Sequence, residues 1–211
     1  MGSIVLTHAV VALALPGLGQ ERASAPVERR AAQDLPPGLP EEPCSLVEPA
    51  RLAELDAKEA IRHLNAETSG CVWVVGPEGL PAGDLLVRIY LPLSEEAAAL
   101  ASEHNPDDEY PTTPGELFSV QRENLSTPDP LAGATEIEVV REDRLDMGDR
   151  GVLVHVNSTG GTGEHTGTTS LLVLDGERLT AIEYSVTGDE AVPASDGVDA
   201  LLVAMAEDMG R

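Results

Sequence analysis

TTSLLVLDGERLTAIEYSV, residues 168–186, is the stretch of sequence that decides the fold. It contains two apolar runs, residues 168–175 and 178–186, and a tight turn that begins at Asp175 and Gly176 separates them. Asp-Gly between two such runs is among the strongest short-range signals for a β-hairpin. We therefore expect two antiparallel strands here.

Further strands are predicted on both sides of this hairpin. Residues 151–157 (GVLVHVN) precede it across a Gly/Thr-rich connection, so the three runs should form an antiparallel meander. Residues 135–141 alternate in polarity, which adds a fourth strand. Nearer the N-terminus, 71–75 (CVWVV) and 85–90 (LLVRIY) read as strands separated by a Pro/Gly turn. The pattern thus predicts an antiparallel sheet of about 5–6 strands.

Helical patterns flank these strands. One begins at Pro49, a favoured first residue of a helix, and its apolar positions at helical spacing are Leu52, Leu55, Ala60, Ile61 and Leu64. Ser94 caps a second helix, whereas residues 117–125 are ambiguous between helix and irregular structure. A third helix, 195–209, carries an apolar stripe. Because successive βα crossovers are missing, we predict an α+β fold with N- and C-terminal helices packed on one face of the sheet.

The composition excludes several classes of partner. The chain has 211 residues, 37 Asp plus Glu against 13 Lys plus Arg, and a formal net charge of -24. Such a field repels nucleic acid and anionic membrane surfaces. Aromatic residues make up only 2%, which argues against a platform on which bases or sugar rings would stack. The acidity is typical of a solvated surface that keeps an exported protein soluble, or of a protein from a salt-adapted organism.

The N-terminal residues predict export. Residues 4–18 form an apolar run that is too short to span a bilayer, and Ala23-Ser24-Ala25 resembles a signal-peptidase site, so 1–25 reads as a signal-peptide-like segment. The alternative is an apolar helix docked on the domain, because residues 1–3 contain no basic side chain. Residues 26–42, rich in Pro, Ala and Glu, read as a disordered linker, and 43–211 as a single α+β domain. A membrane contact is expected only through the N-terminal segment.

The two cysteines, Cys44 and Cys71, are predicted to form a disulfide, because an exported protein folds in an oxidising compartment. A redox pair and a metal site are the alternatives. Neither has support, since the spacing is not C-x-x-C and no His/Cys set lies at zinc-ligand spacing.

Residues 43–73 also carry a family resemblance. Pro43-Cys44-Ser45-Leu46-Val47, followed by a helix opened by Pro49 and by Cys71-Val72-Trp73 on a strand, resembles the DUF3558 group of actinobacterial envelope proteins. The resemblance implies a secreted or lipid-anchored α+β domain tied by a disulfide, with related domains acting as extracellular sensor modules. This chain departs from the pattern in two places: Glu48 stands where Thr usually caps the helix, and no lipobox cysteine follows the apolar run.

Three segments contain residue types that occur in ligand-binding or metal sites. The Gly-rich run 160–167 can cradle phosphate only with a helix start and usually a basic residue behind it, so a hairpin loop is favoured. His155 on a strand and His165 in the adjoining loop could approach each other, and with Glu164 they could form a metal site. The favoured interpretation is that His155 is a hydrogen-bonded strand histidine and that His165 is solvated. Residues 105–109 (NPDDE) lack the ligand spacing of an EF-hand and read as a solvated loop.

The remaining motifs point to structure. The sequons at Asn124 and Asn157 are attributed to chance, and Trp73 to core packing beside the disulfide. No G-x-S-x-G elbow occurs. We assign no catalytic residue, no cofactor and no metal ligand.

The resulting prediction is an exported cell-envelope domain, extracellular or in the envelope, that is non-catalytic and sensor-like. It binds an unknown envelope protein or small molecule, and it does not bind nucleic acid. Two alternatives stay open. One is a secreted hydrolase that uses scattered carboxylates, and the other is a structural envelope protein of a salt-adapted bacterium.

Overall fold

The computed structural model describes residues 38–64, 68–105, 110–126, 134–161 and 163–210. The signal-peptide-like segment 1–25 and residues 26–37 of the predicted linker lie outside this part of the chain. The elements in chain order are a short 3-10 helix (Pro43–Ser45), α1 (Pro49–Glu54), β1 (Lys58–Leu64), β2 (Thr68–Val75), β3 (Gly83–Tyr90), α2 (Glu95–His104), α3 (Pro114–Asn124), β4 (Ala134–Leu145), β5 (Arg150–Gly160), β6 (His165–Asp175), β7 (Arg178–Gly188) and α4 (Asp196–Met209).

The fold is α+β, as predicted, and its centre is one antiparallel sheet. Within the described ranges the sheet has seven strands, in the order β1-β2-β3-β7-β6-β5-β4. The predicted hairpin is confirmed: β6 and β7 pair from His165↔Gly188 to Asp175↔Arg178, which leaves Gly176 and Glu177 in the turn. Gly176 has φ 59°, a left-handed conformation that glycine adopts without strain.

The predicted strand count of about 5–6 was too low, because β1 had been interpreted as the second half of the N-terminal helix. The helix ends at Glu54, and Asp56 has φ 48°, outside the helical region. Ile61 is 65% exposed and Leu64 38%, so their helical spacing does not mark a buried stripe. The backbone groups on the outer edge of β2 need hydrogen-bond partners, and β1 supplies them.

Helices cover both faces of the sheet, whereas the sequence predicted helices on one face only. Leu171 and Ile182 form a cross-strand pair on the face beneath α4, and Leu172 and Ala181 form the next pair on the opposite face, beneath α3. The central strands are apolar at successive positions, so each face must be covered. The helix residues buried against the sheet are Val198, Leu202 and Met205 from α4, and Leu117 and Phe118 from α3.

Residues 117–124 of the ambiguous segment lie in α3, Leu125 is its C-cap, and the N-terminus of the helix explains why the segment is helical. The Thr113 hydroxyl accepts a hydrogen bond from the Glu116 backbone N–H, while the Glu116 carboxylate accepts one from the Thr113 N–H, which is a capping box. Pro114 occupies the first helical position. This Thr-x-x-Glu signature is visible in the sequence and predicts the helix.

The predicted disulfide between Cys44 and Cys71 is present, with Cα atoms 5.1 Å apart. It joins the 3-10 helix to β2, the second strand of the sheet rather than the first. Cys71 is completely buried beside Trp73 in the core under α4. The chain already contacts the sheet before Cys44, because Leu39 is buried and the Ser69 hydroxyl donates to the Pro40 carbonyl.

The helices of the described ranges are all too short or too polar to cross a membrane.

Candidate functional site

A cavity of about 480 Å³ lies on the α4 face of the sheet, at the end where the β6–β7 turn and the C-terminus of α4 meet. We call it the Arg178 pocket. Three segments that are far apart in sequence form its walls: residues 146–148 between β4 and β5, the ends of β6 and β7, and the last turn of α4. The sheet register places Arg178 opposite Asp175, and Thr180 opposite Val173, on the pocket side.

Arg178 is the cation of this pocket. Its side chain is half-buried, and its Nε is buried without a hydrogen-bond partner. The guanidinium forms no ion pair with any residue that the structure describes. Burial lowers the pKa of Arg178, and the charge of Asp175 opposes that effect only in part. A guanidinium with unused donors is a binding group for a carboxylate or phosphate.

Negative groups surround Arg178 at the rim. Asp146, Asp175 and Glu207 line the pocket, and all three are exposed. Met209 and Gly210 place the C-terminal end of α4 in the same wall, and the last turn of α4 contains no basic residue. Free carbonyl groups at a helix C-terminus carry a partial negative charge and favour a cation. The rim is thus suited to an ammonium group.

The floor of the pocket is apolar. Met147, Val173 and Met209 line it, and all three are half-buried and pack against the main core cluster. The floor is the open end of the hydrophobic core, and a ligand side chain placed there would remove apolar surface from water. Methionine side chains adapt to ligands of different shape.

The wall formed by the β4–β5 turn is held in place by a tight backbone contact. Gly148 has φ 57°, and a β-carbon at this position would overlap the carbonyl oxygen of Leu174. The same carbonyl accepts a hydrogen bond of 2.7 Å from the Asp149 N–H. Only glycine allows the turn to approach β6 this closely.

Taken together, the Arg178 pocket presents one cation, three carboxylates and an apolar floor. This combination can bind a molecule that has both charges and an apolar group. Within the described part of the chain, the pocket holds no serine or histidine that would serve as a nucleophile or general base.

His155 and His165 do not form a common site in the structure. His155 is 2% exposed; one ring nitrogen is 2.8 Å from the Thr169 hydroxyl, and the other is 3.0 Å from the Val192 carbonyl oxygen. His165 lies farther along the β5–β6 pair, opposite Thr159. The described residues contain no group of three His, Cys, Asp or Glu side chains that could hold a metal ion.

The Gly-rich run is a strand connection, as favoured from the sequence. The Gly160 N–H donates to the Glu164 carbonyl at 2.8 Å, and the Gly163 N–H donates to the Gly160 carbonyl at 3.0 Å. The described residues of this segment lead from β5 directly into β6, with no helix start between them. Of the acidic run 105–109, only Asn105 lies in the described part of the chain.

Trp73 and the two sequon asparagines occupy unremarkable positions. Trp73 is 3% exposed in the core beside Cys71. Asn124 is the last residue of α3 and Asn157 lies within β5. None of the three lines the Arg178 pocket.

No protein-family model matches this chain, and a comparison with curated proteins finds no match. The resemblance of residues 43–73 to the DUF3558 group stays a prediction.

The sequence did not indicate Arg178 as a site residue. It lies two residues after the Asp-Gly pair of the hairpin, where a charged side chain is ordinary. One signal could have indicated Arg178. Side-chain alternation places it on the same face of β7 as Thr180, Ile182 and Tyr184, and a charged residue on a core-facing side is unusual.

Proposed function

We propose that this chain is an exported, non-catalytic domain of the cell envelope that binds a small zwitterionic ligand of the amino-acid class in the Arg178 pocket. One observation carries the proposal: a half-buried guanidinium with an unpartnered Nε lines a cavity of about 480 Å³ whose rim is acidic and whose floor is apolar. The Nε atoms of Arg88 and Arg141 are also buried without a hydrogen-bond partner, but among these three arginines Arg178 alone lines this cavity, where a ligand acceptor would satisfy its donors.

The ligand groups match the pocket one by one. The ligand carboxylate would bind Arg178, where it accepts hydrogen bonds from the guanidinium. Its ammonium group would lie at the rim among Asp146, Asp175 and Glu207, next to the C-terminal end of α4. An aliphatic side chain would pack on Met147, Val173 and Met209. The net charge of -24 favours the approach of the ammonium group over that of a simple anion.

Export is supported by the Cys44–Cys71 disulfide, since such bonds persist in oxidising compartments. The signal-peptide-like segment 1–25 and the DUF3558 resemblance agree with this location. Among the described residues, no contact favours the hydrolase alternative. The carboxylate of Glu183, whose pKa is raised by burial, has Arg88 as its charged neighbour and not a second carboxylate.

Calorimetric titration of the full chain, produced with its disulfide formed, tests the proposal. The probes are the aliphatic amino acids and two matched analogues of leucine: 3-methylbutylamine, which lacks the carboxylate, and 4-methylpentanoate, which lacks the ammonium group. We expect an aliphatic amino acid to bind and each analogue to bind at least tenfold more weakly.

The matched variants are Arg178→Met and Arg62→Met. Arg62 is an exposed arginine that pairs with Glu42 at 2.9 Å, far from the pocket in the fold, so its loss removes the same charge without touching the site. We expect Arg178→Met to abolish binding and Arg62→Met to leave it unchanged. Equal binding by wild type and Arg178→Met, or no binding by any amino acid, would refute the proposal.

A further inference from the structure

A second cavity, of about 410 Å³, lies on the opposite face of the sheet, between α3 and the β4–β5 hairpin. We call it the arginine pocket, because Arg122, Arg144 and Arg150 line it. The whole chain has only 13 basic residues among 211, and its net charge is -24. Three arginines and one carboxylate, Glu142, around one cavity are therefore a local reversal of the charge of the protein.

Two of these arginines are exposed and have no counter-charge among the described residues. Arg122 pairs with Glu142 at 2.5 Å. Arg144 and Arg150 form no ion pair or hydrogen bond through their guanidinium groups with any residue that the structure describes. In a chain with 37 acidic residues, a carboxylate partner is easily supplied. The absence of one at both positions leaves the donors of two guanidinium groups free.

The sheet register places the two side chains together. Arg144 lies opposite Val152 on the neighbouring strand, and Arg150 precedes Val152 by two residues, so the two arginines occupy diagonal positions on one face. Diagonal neighbours in an antiparallel pair are about 7–8 Å apart, a distance within the reach of long side chains. Two like charges at this separation repel each other, and an anion between them would remove the repulsion.

The start of α3 adds to the positive potential. Both terminal nitrogens of Arg150 lie 3.9 Å from the point that a β-carbon on Gly115 would occupy, so the guanidinium rests against the first turn of the helix. The N-terminus of a helix carries a partial positive charge. The nearest carboxylate of that turn, Glu116, is already held by the backbone N–H groups of Thr112 and Thr113, each at 3.1 Å.

We propose that Arg144 and Arg150 bind the oxyanion group, carboxylate or phosphate, of a small ligand in the arginine pocket. Guanidinium groups bind both oxyanions with paired hydrogen bonds. Phe118 and Val152 line the same cavity and provide an apolar surface beside the arginines, so the ligand has an apolar body next to its charge. A polyanion is disfavoured, because each additional negative charge meets the field of a protein with net charge -24.

This site is independent of the proposed function. The Arg178 pocket lies on the α4 face and the arginine pocket on the α3 face, and the two cavities share no lining residue. Loss of binding at one is expected to leave the other unchanged.

Nuclear magnetic resonance titration of the full chain with benzoate, phenyl phosphate and neutral benzamide tests the inference. We expect one or both anions to shift the backbone signals of residues 142–152 and of α3, and benzamide to shift none of them. Benzoate and phenyl phosphate distinguish the two oxyanions. We expect polyglutamate to have a lower affinity than whichever of benzoate and phenyl phosphate binds more tightly. A higher affinity for polyglutamate would contradict a small-ligand site.

The variants are Arg144→Gln and Arg150→Gln, singly and together, with Arg62→Gln as the control of equal charge. We expect each single variant to weaken anion binding about tenfold and the pair to abolish it. The charge-retaining Arg144→Lys/Arg150→Lys protein should bind with intermediate affinity, because lysine keeps the charge but not the paired donors. Binding unaffected by the double Gln variant, weakened equally by Arg62→Gln, or absent for both anions would overturn the inference.

Discussion

The Asp149 carboxylate accepts a hydrogen bond from the backbone N–H of Gly176, with Oδ2 and the nitrogen 2.9 Å apart. This bond joins the turn between β4 and β5 to the turn between β6 and β7. The first turn supplies Met147 and Gly148 to the Arg178 pocket, and the second lies between Asp175 and Arg178. The walls of the pocket are thus held together by a contact between two turns that the chain separates by 27 residues.

Gly148→Ala should move the β4–β5 turn away from β6 and so weaken the contact between the two turns. The substitution places a β-carbon in overlap with the Leu174 carbonyl oxygen and forces alanine into φ 57°. Gly176→Ala is the matched control, because Gly176 has φ 59° and no atom lies within 4 Å of its β-carbon position. We expect Gly176→Ala to cost about 1 kcal/mol of unfolding free energy and Gly148→Ala about 3 kcal/mol, measured by urea denaturation. Equal losses in the two variants would contradict the close approach.

Arg178→Met should stabilise the ligand-free protein. Methionine keeps the apolar stem of arginine and removes the half-buried guanidinium with its unpartnered Nε. We expect the variant to gain about 1 kcal/mol, a rise in Tm of about 2–4 °C for a domain of this size. Arg62→Met removes the same charge at an exposed position and should change Tm little. A lower Tm for Arg178→Met would show that the guanidinium is a structural group.

Removal of the disulfide should destabilise the domain strongly. Cys44 and Cys71 are separated by 27 positions, and closing a loop of this length restricts the unfolded chain by about 3–4 kcal/mol in the entropic description. The Cys44→Ser/Cys71→Ser protein should lose about this amount in urea denaturation. Cys44→Ala/Cys71→Ala serves as a second variant, since it avoids burying a hydroxyl. A loss below about 1 kcal/mol in the alanine protein would contradict the prediction.

Glu183→Gln should change the pH dependence of stability. Burial raises the pKa of Glu183 in the folded protein, although Arg88 opposes the shift. A raised pKa means that the stabilising contribution is complete below the unfolded value of about 4.3 and is lost as the pH rises through the folded pKa. The glutamine variant lacks this loss, so its advantage over wild type should grow from about pH 4 upward and then level off.

The measurement is urea denaturation of wild type and Glu183→Gln across this range, with the exposed Glu78→Gln as control. The difference should rise by at most about 1.4 kcal/mol per pH unit for one group. A difference that is constant with pH would show that Glu183 ionises equally in both states.

The central hairpin was predictable because its signal lies within a short stretch of chain, and the disulfide because two cysteines in an export-like chain allow only one bond. Asp175-Gly176 between two apolar runs specifies a turn and two strands, whatever lies around them. The capping box at Thr113 and Glu116 is equally local, and it favours a helix in the segment 117–125, which the apolar pattern leaves ambiguous. β1 is different. Its residues alternate poorly and are exposed, and it is a strand because β2 leaves an unpaired edge.

The two pockets could not be predicted because their lining residues are distant in sequence. Asp146, Arg178 and Glu207 meet only after the sheet register and the packing of α4 are established. Arg144 and Arg150 become neighbours through the β4–β5 pairing, and the packing of α3 places Phe118 and Arg122 beside them. In sequence, each of these residues is an ordinary charged side chain of an acidic protein.

The sequence by itself determined the α+β class, the antiparallel hairpin at its centre and the pairing of Cys44 with Cys71. Turn chemistry and side-chain alternation act over a few residues, and two cysteines allow only one bond. Tertiary structure decided which arginines lack a partner, since burial and ion pairing depend on contacts between distant segments. That packing leaves the guanidinium donors of Arg178, Arg144 and Arg150 free. Both of the proposed binding sites depend on these donors.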